Sequence, residues 1–466
     1  MMLKINRIFE KSYLELIAAV VLFLLVCLVY KDQKRISYNS GQGWDGAYYT
    51  RMSEQILTGT WPIKGETPFV KRIGTPGLIA WFSGITGANI LDSAFYINLF
   101  GALLSVLLLV FWLRKFIHQW WIRLLLVFLF MMAYHVPLRF TFYHPQGTDS
   151  WGTVFLMGGL MVLNHISDHY TKTGRFNAGN ILIFSVIISA GVFFRETNSV
   201  LSILPFFVMR PFRLIEISPR NITGSRIFEI CKNVFNLYWS KRSLILLLPI
   251  VFSLFSMYAV SLLTTDSGEQ KWSYFRTVIT FFYSRSLPEY LLGLLNAYGP
   301  LLLLVPFYYS EYKLFFRERQ DLGMLLLLAL ILAFIGGPST ERISFMNGFP
   351  VLFIIMGVSI NQLYRSSQRW WLFILLFLQS IAFRFFWNLP DYPAAAGKPP
   401  VPFFTLMGDD FNLLYLLSYH GHGHIIVNTI LFLEYLALFA ITYLIIVNKV
   451  KWPLVISFRK ANMTIK

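Results

Sequence analysis

The chain has 466 residues, 56% hydrophobic and only 14% charged, which excludes an ordinary water-soluble enzyme. Its formal charge of +17 lies mainly in the segments between apolar runs, the pattern of basic cytoplasmic loops and not of a nucleic-acid surface. Cys27 lies in the first apolar run and Cys231 in a polar loop, a placement that suits neither a disulfide nor a metal site.

Lys4, Arg7 and Lys11 precede an apolar run over 12–30. The run is too long for a signal-peptide core and no small-x-small cleavage site follows, so a retained first span is predicted. Further spans are predicted at 94–113, 122–137, 150–166, 179–194, 198–209, 243–263, 288–309, 322–336, 344–363, 370–387 and 428–448. Reading 179–209 as a hairpin gives the inner segments a large excess of Lys and Arg and leaves the outer ones nearly balanced. One continuous span there would put the basic stretch 210–242 outside. The expectation is an all-α polytopic membrane protein, one membrane domain over 1–466. It has about twelve transmembrane helices, within a range of about 10–13, and both termini in the cytoplasm.

This topology puts the polar clusters 31–93, 139–150, 195–198, 264–287, 337–343 and 388–427 on the outer face. In the first external loop, 31–93, the run AYYTRMSEQIL is amphipathic, and 76–87 is apolar but too short to span, so interfacial helices are expected. The late external loop, 388–427, opens on a Pro- and Ala-rich irregular stretch and continues into a helix-capable one, Asp410–Tyr419.

Asp45 is the foremost candidate. It sits among Trp44, Tyr48 and Tyr49, with Gly43 and Gly46 beside it, as an acid able to take a proton from an attacking hydroxyl while aromatics exclude water. Its bland alternative is a helix cap for the run that follows. Lys71 and Arg72, between Pro68 and Pro76, suit a lipid phosphate, Arg72 more so because a guanidinium grips it bidentately. Arg195 and Glu196 interrupt an apolar stretch, where charge is costly unless it lines a polar cavity or forms a structural ion pair at the hairpin tip. Glu341 and Arg342 repeat that logic, and His144 and Asp149 flank a Pro-Gln-Gly turn that lines the same cavity or is merely solvated. His420 and His422 belong to a Gly-interleaved HGHGH strip without a rigid scaffold, which favours an acceptor-side role over a metal. No metal and no cofactor is expected.

The order of these features resembles the GT-C class of integral-membrane glycosyltransferases, and WDGAYY resembles the Trp-Asp-Gly opening of PIG-V-like mannosyltransferases. The resemblance covers the whole chain in architecture, and in motif the first loop with short pieces such as PFVKRIGTPGL and RETN. It implies a sugar donor linked to polyprenyl phosphate, docked on Arg72 with help from Arg195 or Arg342. Asp45 would act as general base in an inverting transfer to a glycan, lipid or envelope polymer. The implied setting is a bacterial inner membrane with the site facing the periplasm; membrane lipids are partners and nucleic acid is not. Two rivals are an O-antigen polymerase or ligase using diphosphate-linked glycans, with its chemistry in 388–427, and a lipid or sugar transporter. A transporter would place polar groups on broken helices at mid-membrane.

Overall fold

The computed structural model describes residues 12–43, 45–133, 137–211, 243–267, 279–280, 286–336, 340–383, 385, 388 and 425–447. Helix α1, Ser12–Val29, leads into a first loop that is folded throughout most of its length. The loop holds helix α2 (Asp45–Leu57), strand β1 (Ile63–Gly65), a 3-10 turn (Phe69–Lys71) and helix α3 (Gly74–Thr86). In α2 the buried Gly46, Tyr49, Thr50 and Ser53 recur at the spacing of one helical face. That face closes a small core of Tyr49, Met52, Ile63, Val70 and Ile73. Helix α3 occupies the stretch expected to be interfacial and stops at Gly87, whose φ of 71° is left-handed and suits glycine.

The all-α expectation needs one correction. β1 pairs in parallel with β2, Thr264–Asp266, with Lys64 opposite Thr265. Pro62 and Pro68 flank β1 and disfavour helix before them, so its backbone finds partners in another chain segment.

The remaining helices are α4 (Ile90–Phe116), α5 (Trp120–Met132), α6 (Pro137–Tyr143), α7 (Asp149–Thr173), α8 (Ala178–Phe194) and α9 (Leu204–Phe207), then α10 (Leu248–Leu263) and α11 (Leu287–Tyr298). They continue with α12 (Tyr309–Glu318), α13 (Gln320–Ile335), α14 (Thr340–Arg365), α15 (Arg369–Ala382) and α16 (Ile425–Ile446). Among the described residues five helices are long and apolar enough to cross a membrane, or six if one bent pair counts as a span. The chain is an integral membrane protein.

Two of the predicted spans take other forms. Segment 198–209 is an eight-residue 3-10 helix, Glu196–Ile203, followed by the single turn α9. At about 2.0 Å and 1.5 Å of rise per residue these reach well short of the ~30 Å hydrocarbon core. Segment 288–309 is broken at Gly299, and its halves diverge by 106°. Gln379, fully buried, satisfies the break by donating to the Tyr298 carbonyl at 3.0 Å and accepting from the Leu301 amide at 3.0 Å. The chain turns at Arg195, which is extended (φ −153°, ψ 118°), and the 3-10 helix after it packs against α8, too short for the second crossing the hairpin reading expected.

One large apolar core runs from α1 to α16, while α10 shows Val251, Leu254, Phe255 and Tyr258 on its outer face. Charge gathers at the two ends of the bundle. The end remote from the first loop holds Glu15, buried between Arg123 (2.5 Å) and Arg114 (3.4 Å), and the Lys115–Asp168 pair. The other end carries the candidate site.

Candidate active site

The site begins where α2 meets the turn before α7. Gly43 has φ +71°, and a Cβ there would lie 2.2 Å from the His144 ring; a Cβ on Gly46 would lie 2.6 Å from Gln146 Oε1 and 2.8 Å from His144 Nε2. The two glycines around Asp45 thus let protein pack closely on protein. His144 Nε2 lies 2.9 Å from the Gln42 carbonyl, Gln146 donates to Thr50 at 2.8 Å, and Asn98 donates to the Pro145 and Gly147 carbonyls at 2.6 and 2.9 Å. These bonds pin the His-Pro-Gln-Gly turn between α2 and α4.

Asp45 itself opens α2, half-buried, where the helix dipole favours an anion. Among the described residues its carboxylate has no hydrogen bond or ion pair, and its charge is felt by His144 and Tyr48. Burial pushes His144 down to about 4 against the pull of Asp45, with the Arg342 charge adding to the fall, so the imidazole is neutral at pH 7.

Beyond His144 lies a run of ion pairs between segments far apart in sequence. Asp149, in the first turn of α7 and 7% exposed, is gripped by Arg195 through one oxygen and by Arg342 through the other, the latter with Nε at 2.9 Å. The Arg342 guanidinium also stands 6.0 Å above the Phe140 ring. Glu196, next to Arg195 in sequence, turns the other way. It accepts two bonds from Arg72, at 2.8 Å from Nε and 2.5 Å from Nη2, while Arg72 Nη1 donates to the Tyr49 hydroxyl at 3.0 Å. Burial drives the Glu196 carboxyl up, but Arg72 and Arg195 overcome it and hold it down to about 2. Asn198, 3% exposed, ties the hairpin to its neighbours by donating to the Gly152 and Gly191 carbonyls, both at 3.2 Å.

Eight sequence-nominated residues therefore meet: Asp45, Tyr49, Arg72, His144, Asp149, Arg195, Glu196 and Arg342. Arg195 and Glu196 are not paired with each other; each finds its partner on another segment. Lys71 points elsewhere, its Nζ 3.3 Å from Thr264 Oγ1 beside the β-pair. Tyr48 stacks on Phe69 at 4.8 Å with 5° between ring planes, with Glu66 as an electrostatic neighbour. Trp44, the Glu341 side chain, His420 and His422 lie outside the described residues. Glu66, Asn98, Gln146 and Asn198 are buried beside these residues without a sequence signal that nominates them. Glu66 and Gln146 sit in polar segments that were read, but nothing in the sequence marks either as buried.

No family model matches the chain, and no curated protein matches it. Solved structures of the oligosaccharyltransferase of Archaeoglobus fulgidus are similar. The apo form shares 13% identity at a TM-score of 0.48 over 91% of this chain and 56% of that one. The complex of the same enzyme, AglB, with an inhibitory peptide and a dolichol-phosphate shares 12% at 0.46 over 91% and 56%. The complex with Zn and sulfate shares 14% at 0.47 over 86% and 57%. The chain thus spans a little over half the length of the structures it matches, and at this overlap no activity carries across.

Proposed function

We propose that this chain is an integral-membrane glycosyltransferase of GT-C type that moves one sugar from a polyprenyl-phosphate carrier to a hydroxyl of a glycan, lipid or envelope polymer. The proposed setting is the outer face of a bacterial inner membrane, with both termini in the cytoplasm. The observation that carries the reading is the sorting of charge. Asp45, a carboxylate with no ion pair among the described residues, stands beside a buried cluster in which two guanidiniums, Arg195 and Arg342, share one acid, Asp149. That cluster holds one positive charge more than it neutralises, which suits a phosphodiester. Arg72 is largely committed to Glu196 and Tyr49, so its part is to fix the hairpin that carries Arg195, while Arg342 and Arg195 take the phosphate.

The chemistry then balances. Asp45 accepts the proton of the acceptor hydroxyl, whose oxygen forms a bond to the anomeric carbon from the face opposite the leaving group. The bond from that carbon to the phosphate oxygen breaks with its electron pair, inverting the centre and leaving the lipid phosphate between the two guanidiniums. General-base assistance is worth about 10²–10⁴ in rate, and cationic stabilisation of the departing phosphate is a further large contribution.

The test is Asp45→Asn in purified protein. Transfer from undecaprenyl-phosphate sugars should fall by about 10² or more while undecaprenyl phosphate still binds. Full activity in that variant removes Asp45 as the base.

A further inference from the structure

The geometry points to a second binding site, at the end of the bundle remote from the first loop: a cavity lined by Arg365 that holds the phosphate headgroup of an anionic phospholipid. The inference does not depend on the reaction proposed for the other end.

Helix α14 carries the chain from Arg342 to Arg365, and there it turns into α15. Between that turn, Tyr308 just ahead of α12 and Ile446 at the end of α16 lies a cavity of about 470 Å³, an ordinary size for a small-ligand site. The rest of its lining is polar: Gln362 and the consecutive Arg365, Ser366, Ser367 and Gln368. The turn that presents them is pinned. The Ser366 hydroxyl donates to the Leu363 carbonyl at 2.7 Å and accepts from the Gln368 amide at 3.2 Å, while the Trp371 amide donates to the Gln368 carbonyl at 2.9 Å.

Charge selects an anion. Arg365 is the one charged residue in the lining among the described residues. Glu311, exposed on α12, accepts from Gln362 Nε2 at 3.0 Å and is not itself part of the lining. A guanidinium beside serine hydroxyls is a donor set suited to a phosphate. Arg369, exposed at the start of α15, adds positive charge outside the cavity. In the sequence, Lys449 and Lys451 follow Ile446 and no acid occurs over 447–466. Basic residues directly after a spanning helix attract anionic lipid.

The apolar wall selects a lipid over a soluble phosphate. Ile446 ends α16, a helix apolar enough to span, on which Leu433, Leu436, Ile441 and Leu444 are exposed along one face. From Ile446 back to Leu433 is roughly 20 Å at 1.5 Å per residue. That is enough to lay an acyl chain along one leaflet, half of the ~30 Å hydrocarbon core. Tyr443, also exposed, stands 6.2 Å from the Phe307 ring where the 3-10 helix Pro300–Tyr308 packs on α16. Aromatic rings of this kind gather at the headgroup level.

The test takes the full chain, purified and delipidated in detergent, and reads binding by native mass spectrometry. The probes are palmitoyl-oleoyl phosphatidylglycerol, the matching phosphatidylcholine, and glycerol 3-phosphate. Phosphatidylglycerol should bind about ten-fold more tightly than either of the others, or better. Arg365→Gln should lower its affinity by about ten-fold, the scale of one charge-assisted hydrogen bond. Ser367→Leu, which adds bulk to the lining and removes no charge, should lower it as well. Arg369→Gln, outside the lining, should leave it within about two-fold, as for an exposed charge in water. Arg365 and Ser367 are both exposed, so neither variant threatens the fold. Full affinity in either of those two variants overturns the site, and an equal loss in Arg369→Gln does so too, because it marks diffuse surface charge. Phosphatidylcholine bound as tightly as phosphatidylglycerol overturns the anionic selectivity, and glycerol 3-phosphate bound as tightly overturns the lipid in favour of a soluble phosphate.

Discussion

Arg195 and Glu196 are adjacent in sequence, and each is paired with a charge on a different remote segment. Two charges in an apolar stretch must be paired or wetted, which made both legible. Neighbours in an extended backbone point to opposite sides, so Arg195 reaches Asp149 and Glu196 reaches Arg72. The pH dependence of stability follows from the groups at this scale. Glu196 and His144 both have their folded-state values depressed, to about 2 and about 4. In each case the unfolded chain binds the proton more readily, so the stabilisation is complete above the unfolded value and is lost as pH falls towards the folded one. Stability should therefore decline on acidification, first through His144 below about 6.5 and then through Glu196 below about 4.5. Thermal melts in detergent between pH 7 and pH 4 check this. His144→Asn should flatten the upper limb, and an undiminished slope in that variant assigns the limb to another group.

At the scale of elements, the close approach of α2 and the 144–147 turn rests on Gly43 and Gly46. A methyl on Gly46 would press on Gln146 Oε1 and His144 Nε2, and the Gln146 amide is held by the bond its Nε2 donates to Thr50. Gly46→Ala should cost about 1–3 kcal/mol through overpacking, read as a lower melting temperature. Adding Gln146→Ala should restore part of it, because the blocking atom is gone. A Gly46→Ala variant as stable as the parent would show that the turn yields without penalty. The amphipathic period of Asp45–Leu57 made α2 legible, and so did the apolar run that became α3. The β1–β2 pair was not legible, since strands of three residues carry no period and their partner lies about 200 positions away.

For the whole molecule, the clearest consequence is sidedness. β1 pairs with β2, Thr67 donates to Asp266 at 2.7 Å, and Asp149, Arg195 and Arg342 converge, so described residues from five of the six segments predicted outside share one end of the bundle. The sixth, 388–427, lies almost wholly outside the described residues. Helix α14 links the two ends, with Arg342 in the site and Arg365 at the far end, a rise of roughly 35 Å at 1.5 Å per residue. In a chain with Cys27 and Cys231 replaced, a cysteine at Thr265 should react with an impermeant reagent added outside, and one at Arg365 only after the membrane is opened. The reverse pattern would place the candidate site in the cytosol and end the periplasmic reading.

Composition and the run of apolar segments determined by themselves that this is a helical membrane protein. The cost of charge in lipid singled out Arg195, Glu196 and Arg342, while Asp45 and Arg72 stood out by their aromatic and proline surroundings. Those are local or one-dimensional quantities, fixed by hydropathy and by the penalty for desolvating an ion. Tertiary structure alone decided which charge answers which, that Gly46 serves packing, that Glu66 is buried, and that 288–309 breaks at Gly299. Each of these depends on distances between segments remote in sequence, and electrostatic pairing and close packing are set by such distances, not by the order of residues along the chain.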